Sequence, residues 1–145
     1  MPQVAIRRAR PGDALAIRAL LSELGYTPVP RDAAETVTQV IRHPEAAVFV
    51  AVEGLEVIGY VAMSHRPQAR LGGMLASIDE LVVASKVRSQ KIGTQLLDAA
   101  VAHARSLRCR RVELHTSRTR ESYQRRFYAD RGFTEVDSAV MRIDL

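Results

Sequence analysis

The chain predicts an α/β fold, a mixed sheet with helices on both faces, and three observations point to it. Short β-rich runs are interleaved with segments whose apolar residues recur at helical spacing. Strand and helix readings alternate through the second half, the pattern of a sheet crossed by helices. The 145 residues (16.1 kDa), 47% hydrophobic and 26% charged, suffice for one core and exclude wholesale disorder. Residues 1–145 are therefore expected to form a single domain in the order β-α-α-β-β-β-α-β-α-β.

Val4 to Arg8 alternates as a short strand. Pro11-Gly12-Asp13 offers a turn with Asp13 as N-cap, and Ala14, Ile17, Leu20, Leu21 and Leu24 follow at helical spacing up to Gly25. After a proline-bounded loop, Asp32 to Arg42 reads as a second helix ended by His43-Pro44. Ala47 to Val52 and Val57 to Ser64 form a hairpin about Glu53-Gly54-Leu55-Glu56, and Pro67 to Gly73 reads as a loop. Ala76 to Val83 is the next strand, Lys91 to Leu107 a helix, and Val112 to Thr116 a strand. A helix over Thr119 to Asp130 and a strand or pair of strands over Phe133 to Ile143 complete the order. The unit from Ala76 to Thr116 predicts a crossover between parallel strands, with a ligand outside their carboxyl ends.

No apolar run is long enough to span a membrane, and MPQVAIRRAR has no apolar stretch behind its basic residues, so it does not read as a secretory signal. The single cysteine, Cys109, precludes an internal disulfide and suits a reducing compartment; a cytoplasmic protein is expected. The net charge is +5, and 19 of the 21 basic residues are arginine, nine of them between Arg105 and Arg131. Such a field attracts polyanions. Acidic residues are interspersed, aromatic residues are only 5%, and no helix-turn-helix or RNP signature is visible, so a solvated surface is favoured over nucleic-acid binding. His43, His65, His103 and His115 lack metal-ligand spacing, and no metal is expected.

The loop Val83-Ala84-Ser85-Lys86-Val87-Arg88-Ser89-Gln90-Lys91-Ile92-Gly93-Thr94 joins a strand to a helix start. Successive N–H groups there, with the helix dipole and two cationic side chains, suit an anion. It is neither G-x-x-x-x-G-K-S/T nor G-x-G-x-x-G. An ordinary helix start with a chance glycine explains the loop alone equally well.

The loop has company. Ile78 to Val83, then Arg88-Ser89-Gln90-Lys91-Ile92-Gly93 with Leu96-Leu97, then Phe127-Tyr128-Ala129-Asp130-Arg131-Gly132-Phe133 occur in the order found in the GNAT superfamily of acyl-CoA-dependent N-acyltransferases, which the chain resembles over nearly its whole length. The loop is similar to the family's Q/R-x-x-G-x-G/A, and the last segment matches F-Y-x-x-x-G-F. The resemblance implies the GNAT fold, acetyl-CoA as donor and an amine acceptor. It implies backbone contacts to acetyl-CoA from Leu81, Val82 and Val83, with the Val83 N–H as oxyanion donor. It also implies pyrophosphate contacts from Arg88, Ser89, Gln90, Lys91, Ile92, Gly93 and Thr94. Lys91 stands at the loop's first glycine, where a regular helix start demands no glycine conformation. Glu121 replaces a family asparagine, and that contact is not carried over.

Attack on a thioester needs a neutral amine, a stabilised oxyanion and a protonated leaving thiolate. Tyr128 is the expected acid, since a phenol can protonate a thiolate. Packing is the competing role, because Tyr123 and Phe127 share a helix face; Tyr128 lies one residue off that stripe. For the base, Asp79 and Glu80 precede the cofactor-binding backbone, and strand alternation lets only one face the cleft. Glu80 is preferred, beside a water relay or no dedicated base; Ser77 and Glu113 are further candidates. Cys109 reads as structural, and His115 as a wall residue able to shuttle a proton. The acceptor site is expected from the first two helices, the loop Tyr26 to Arg31 and the loop Pro67 to Gly73, with Arg66 and Arg70 hinting at an anionic group on the acceptor. Two alternatives stay open: an acyl-CoA-binding sensor without turnover, and an arginine-rich nucleic-acid-binding protein. A homodimer through the sheet edge is possible in such small relatives, and no membrane partner is expected.

Overall fold

Alternating runs become one five-stranded sheet, β1 (Val4–Arg8), β2 (Ala46–Glu53), β3 (Glu56–Gln68), β4 (Gly73–Val83) and β5 (Arg111–Leu114), in that spatial order. The computed structural model describes residues 3–25, 29–88 and 91–145. Its contacts divide into two compact units, 1–114 and 115–145. The first three pairings are antiparallel, and β4 and β5 run parallel. That last pair needs a crossover, supplied by α3 (Ile92–Ser106).

Two helices precede the hairpin. α1 (Ala14–Leu20) tightens into a 3-10 turn, Leu21–Leu24, and stops at Gly25, whose φ of 98° a side chain would strain. α2 spans Ala33–Arg42. Asp13 fixes the start of α1: its carboxylate takes two bonds from the Arg7 guanidinium, at 2.8 and 3.0 Å, and one from the Arg10 N–H at 2.7 Å. The two helices and α3 lie on opposite faces. A Cβ on Gly59 would meet Leu96 Cδ1 at 3.1 Å, so Gly59 faces α3, and its neighbour Tyr60 faces α1 and α2. Tyr60, Ile17 and Val50 are buried on one side of the sheet, and Ile92, Leu96 and Leu97 on the other.

β3 and β4 run longer than their hydrophobic cores, so the expected loop Pro67 to Gly73 shrinks to a turn over Ala69–Leu71 closed by Gly72 at φ 68°. β5 ends at Leu114 rather than Thr116.

Within residues 115–145 two expectations fail. The helix over Thr119 to Asp130 is only α4 (Glu121–Gln124). Arg126 takes φ 63°, with the Arg126 N–H bonding Tyr123 O and the Phe127 N–H bonding Ser122 O, so the helix ends in a Schellman cap with arginine in the glycine position. The turn resumes as Ala129–Arg131 and closes at Gly132. No strand forms over Phe133 to Ile143. Met141, Ile143 and Leu145 alternate as a strand would but are exposed, because alternation supplies a face and a strand also needs a hydrogen-bonded neighbour.

Candidate active site

The middle of β4 is interrupted. Ala62 pairs with Glu80 and Met63 with Ile78, which leaves Asp79 as an extra residue, a β-bulge. β5 accompanies β4 only from Leu75 to Ile78. Beyond the bulge, no strand among the described residues covers that edge. The Ala84 N–H bonds Ile58 O at 2.8 Å, on the β3 side. Backbone groups alternate along a strand, so Val82 also turns its N–H toward β3, while Leu81 and Val83 turn theirs to the uncovered edge. The Val83 carbonyl accordingly accepts from Arg88 Nε at 3.3 Å.

Glu80 lies on the opposite side of this backbone from α3, in step with Ala62 and Tyr60. The Tyr60 hydroxyl donates to Glu80 Oε1 at 3.2 Å. Both line a pocket of about 250 Å³ with residues of α1, α2, β2 and β3. Burial pushes the Glu80 carboxyl above its usual range; the bond from Tyr60 opposes this and the Asp79 charge adds to it. Asp79 is exposed at the bulge and does not line the pocket. The bulge suspends the simple alternation rule, yet only Glu80 of the two carboxylates enters. Sequence reasoning missed Tyr60, which reads as one more β-strand aromatic until the register aligns it with Glu80.

The loop after β4 forms a 3-10 turn, Ser85–Val87. Arg88 turns toward the 3-10 turn after α1, its guanidinium 3.4 Å from Glu23 O and 3.5 Å from Glu23 Oε2, and Ser85 Oγ donates to Glu23 Oε1 at 3.1 Å. Lys86 pairs with Glu56. Ser89 and Gln90 lie outside the described residues. Lys91 is the N-cap of α3 at φ 62°, ψ 19°, which corrects the expectation of an ordinary helix-start conformation: the lysine adopts a left-handed geometry that ordinarily favours glycine. Ile92 is buried and anchors the helix, while Gly93 and Thr94 are half-buried in its first turn.

In residues 115–145, Tyr128 packs edge-on against Phe127, centroids 4.9 Å apart, and against Phe133 at 6.0 Å. Burial raises its phenol above the usual value, and the Arg120 and Arg125 charges lower it by less. The left-handed Arg126 removes the shared face expected for Tyr123 and Phe127. Tyr123 instead donates to Glu135 at 3.1 Å, beside an Arg118–Glu135 ion pair at 2.7 Å.

The remaining candidates do not line the pocket. Ser77 pairs with Ser64 across the ladder, and Glu113 pairs with Arg111 at 3.5 Å. Cys109 is half-buried at the end of α3, and burial raises its thiol. Of the expected acceptor segments, α1, α2 and Pro30 line the pocket and no residue of 67–73 does; residues 26–28 lie outside the described set. Arg66 and Arg70 are exposed and absent from the lining. β3 extends to Gln68, carrying Arg66 six residues, about 20 Å, from Tyr60. Among the described residues, no helix is long and apolar enough to cross a membrane, and no group of three or more His, Cys, Asp or Glu could hold a metal ion.

Residues 14–133 match the family model described as Acetyltransferase (GNAT) family. The chain is 29% identical over 136 residues to an aminoalkylphosphonate N-acetyltransferase of Salmonella typhimurium strain LT2, covering 93% of this chain and 88% of that one. Among solved structures, a transcriptional regulator from Bacillus halodurans C-125 superposes with a TM-score of 0.86 at 25% identity, over 99% of this chain and 100% of the other. The aminoglycoside N-acetyltransferase AAC(6')-Iy, solved in complex with CoA, gives 0.84 at 19% identity over 99% and 96%, a likeness of fold.

Proposed function

The chain belongs to the acetyltransferase (GNAT) family, and on that premise we propose that it transfers the acetyl group of acetyl-CoA to a primary amine of a small molecule or protein by direct attack in a ternary complex. The observation that carries this reading is the bulge at Asp79, beyond which one stretch of β4 has both an edge of N–H groups that no described strand pairs and a half-buried carboxylate lining a pocket.

Glu80 takes the proton of the arriving ammonium, directly or through a water. Burial suits it to the task, since a carboxyl held above its usual range is a stronger base than an exposed one. Tyr60 holds one carboxylate oxygen, leaving the other for the amine. The Val83 N–H, fixed in a strand, donates to the thioester oxygen as charge develops there, without reorganisation. Leu81 offers its N–H to the donor's amide-bearing arm, beside Val82. The residues from Arg88 to Thr94 bind the pyrophosphate: N–H groups at the start of a fifteen-residue helix favour an anion, and Lys91 adds a cation at its N-cap. Tyr128 supplies the proton to the departing thiolate and recovers one from the amine nitrogen as the amide forms, on the strength of the Phe127 to Phe133 signature and a phenol kept protonated by burial. Acetyl-CoA supplies the activated acyl group.

Calorimetric titration with acetyl-CoA, CoA and 3′-dephospho-CoA tests the donor site. Saturable binding at one site per chain, followed by amine-dependent release of free thiol, is the expected result. No binding at millimolar acetyl-CoA would overturn the proposal.

A further inference from the structure

Resting on that reading of the site, we propose that the acceptor is a small amine with an apolar body, arriving as a cation and bearing no anionic group. Three features of the pocket argue for it. Its formally charged lining residues are Asp32 and Glu80, both acidic, in a chain whose net charge is +5. Lysine and arginine are absent from the described lining, and the undescribed residues Tyr26, Thr27 and Pro28 carry no charge. A phosphonate or carboxylate drawn in there meets like charge from the half-buried Glu80 and the exposed Asp32, without a cation in the described lining to offset it.

The second feature is the wall. Ile17 and Leu21 on one side, Val37 and Val40 on another, and Val48 and Ala62 from the sheet leave Thr36, Tyr60 and the two carboxylates as the polar side chains. A polyhydroxylated acceptor would bury hydroxyls without partners against this wall, which disfavours its binding. An alkyl or aryl body gains by the same burial.

The third is size. A pocket of about 250 Å³ lies below the roughly 300–1,000 Å³ of clefts that take drug-sized ligands, which suits a short chain or a single ring. That is the scale of hexylamine or 2-phenylethylamine. Glu80 stands on the sheet, where the ammonium loses its proton, and Asp32 stands at the start of α2, where a second negative charge draws cations and turns anions away.

The test compares kcat/KM for hexylamine and 2-phenylethylamine with 2-aminoethylphosphonate, neamine and a lysine-containing peptide, by thiol release at saturating acetyl-CoA. Each apolar amine should exceed every other acceptor by at least tenfold. Calorimetry of the CoA-loaded protein with each amine should give the same order. Asp32 makes no side-chain capping hydrogen bond, so Asp32→Lys breaks no such bond, and a thermal melt checks that the cation at the helix start leaves the fold in place. That variant should lower kcat/KM for hexylamine at least fivefold and raise it for 2-aminoethylphosphonate. A tenfold preference for the phosphonate, the aminoglycoside or the peptide overturns the inference. Saturable acetyl-CoA binding with no turnover of either apolar amine also overturns it, leaving the acyl-transfer reading intact. Absent acetyl-CoA binding overturns that underlying reading as well.

Discussion

The Tyr60 hydroxyl reaches Glu80 Oε1 at 3.2 Å across the β3–β4 ladder, on the sheet face covered by α1 and α2. A hydrogen bond to the ionised carboxylate favours the charged form, so it opposes the upward pull of burial. Tyr60→Phe removes that opposition. The acid limb of the kcat/KM–pH profile should move to higher pH in Tyr60→Phe, while acetyl-CoA affinity stays unchanged. A limb that does not move would separate Glu80 from the titration that governs turnover.

Glu80 also makes a stability prediction whose sign is fixed. Its folded-state pKa lies above the unfolded value, so the folded chain binds the extra proton and stability falls as pH rises from the ordinary carboxylate range through the raised one. Glu80→Gln should remove this slope and leave the protein slightly more stable at neutral pH, by up to about 2–4 °C in Tm if about 1 kcal/mol is recovered. Thermal melts of both proteins at several pH values measure it.

Asp13 works in the opposite direction. Its bonds from Arg7 and Arg10 hold the carboxyl below its usual range, so its contribution is present above the unfolded pKa and lost as pH falls through the folded one. Asp13→Asn should cost about 1.5–3 kcal/mol at neutral pH, the range for hydrogen bonds to charged groups, and progressively less in acid. Urea unfolding at neutral and acidic pH would show it.

Lys91 holds a left-handed conformation that costs a side chain roughly 1–2 kcal/mol. Lys91→Gly should recover up to about 1 kcal/mol of this, the remainder being offset by glycine's greater freedom in the unfolded chain. Lys91→Met keeps the strain and deletes the charge. It should weaken acetyl-CoA binding several-fold at low salt and less at high salt, as screening removes what the ammonium contributes. Melts and calorimetry on the two variants separate the roles.

Tyr128→Phe keeps the edge-on packing against Phe127 and Phe133 and removes only the acidic proton. Its kcat should fall by about 10²-fold or more, with Tm and acetyl-CoA affinity little changed. Loss of stability without loss of kcat would make Tyr128 a packing residue.

The strands and helices of residues 4–114 were legible because each buries one face, and burial writes itself into the sequence at period 2 or 3.6. The bulge at Asp79 was not: it inserts one residue without altering the apolar pattern, yet it is what puts Glu80 in the pocket. Glu80 itself could be chosen from sequence, but Tyr60 could not, since its partner is twenty residues away and only the β3–β4 register aligns them. Lys91 and Arg126, two of the three left-handed residues other than glycine among the described residues, escaped for a shared reason. Glycine normally marks such positions, and a long side chain there carries no warning. Arg126 thereby cut short a helix whose apolar spacing ran on to Asp130, and the alternating tail after Phe133 lacked the neighbour that makes alternation a strand.

The most direct measurement is amine-dependent thiol release by wild type and Glu80→Gln at saturating acetyl-CoA, with acetyl-CoA affinity measured on both by calorimetry. The account predicts equal affinities and a kcat at least about 10²-fold lower in the variant, the range of a lost general base. Equal affinities with equal kcat would contradict it, and would remove Glu80 from the chemistry of this site.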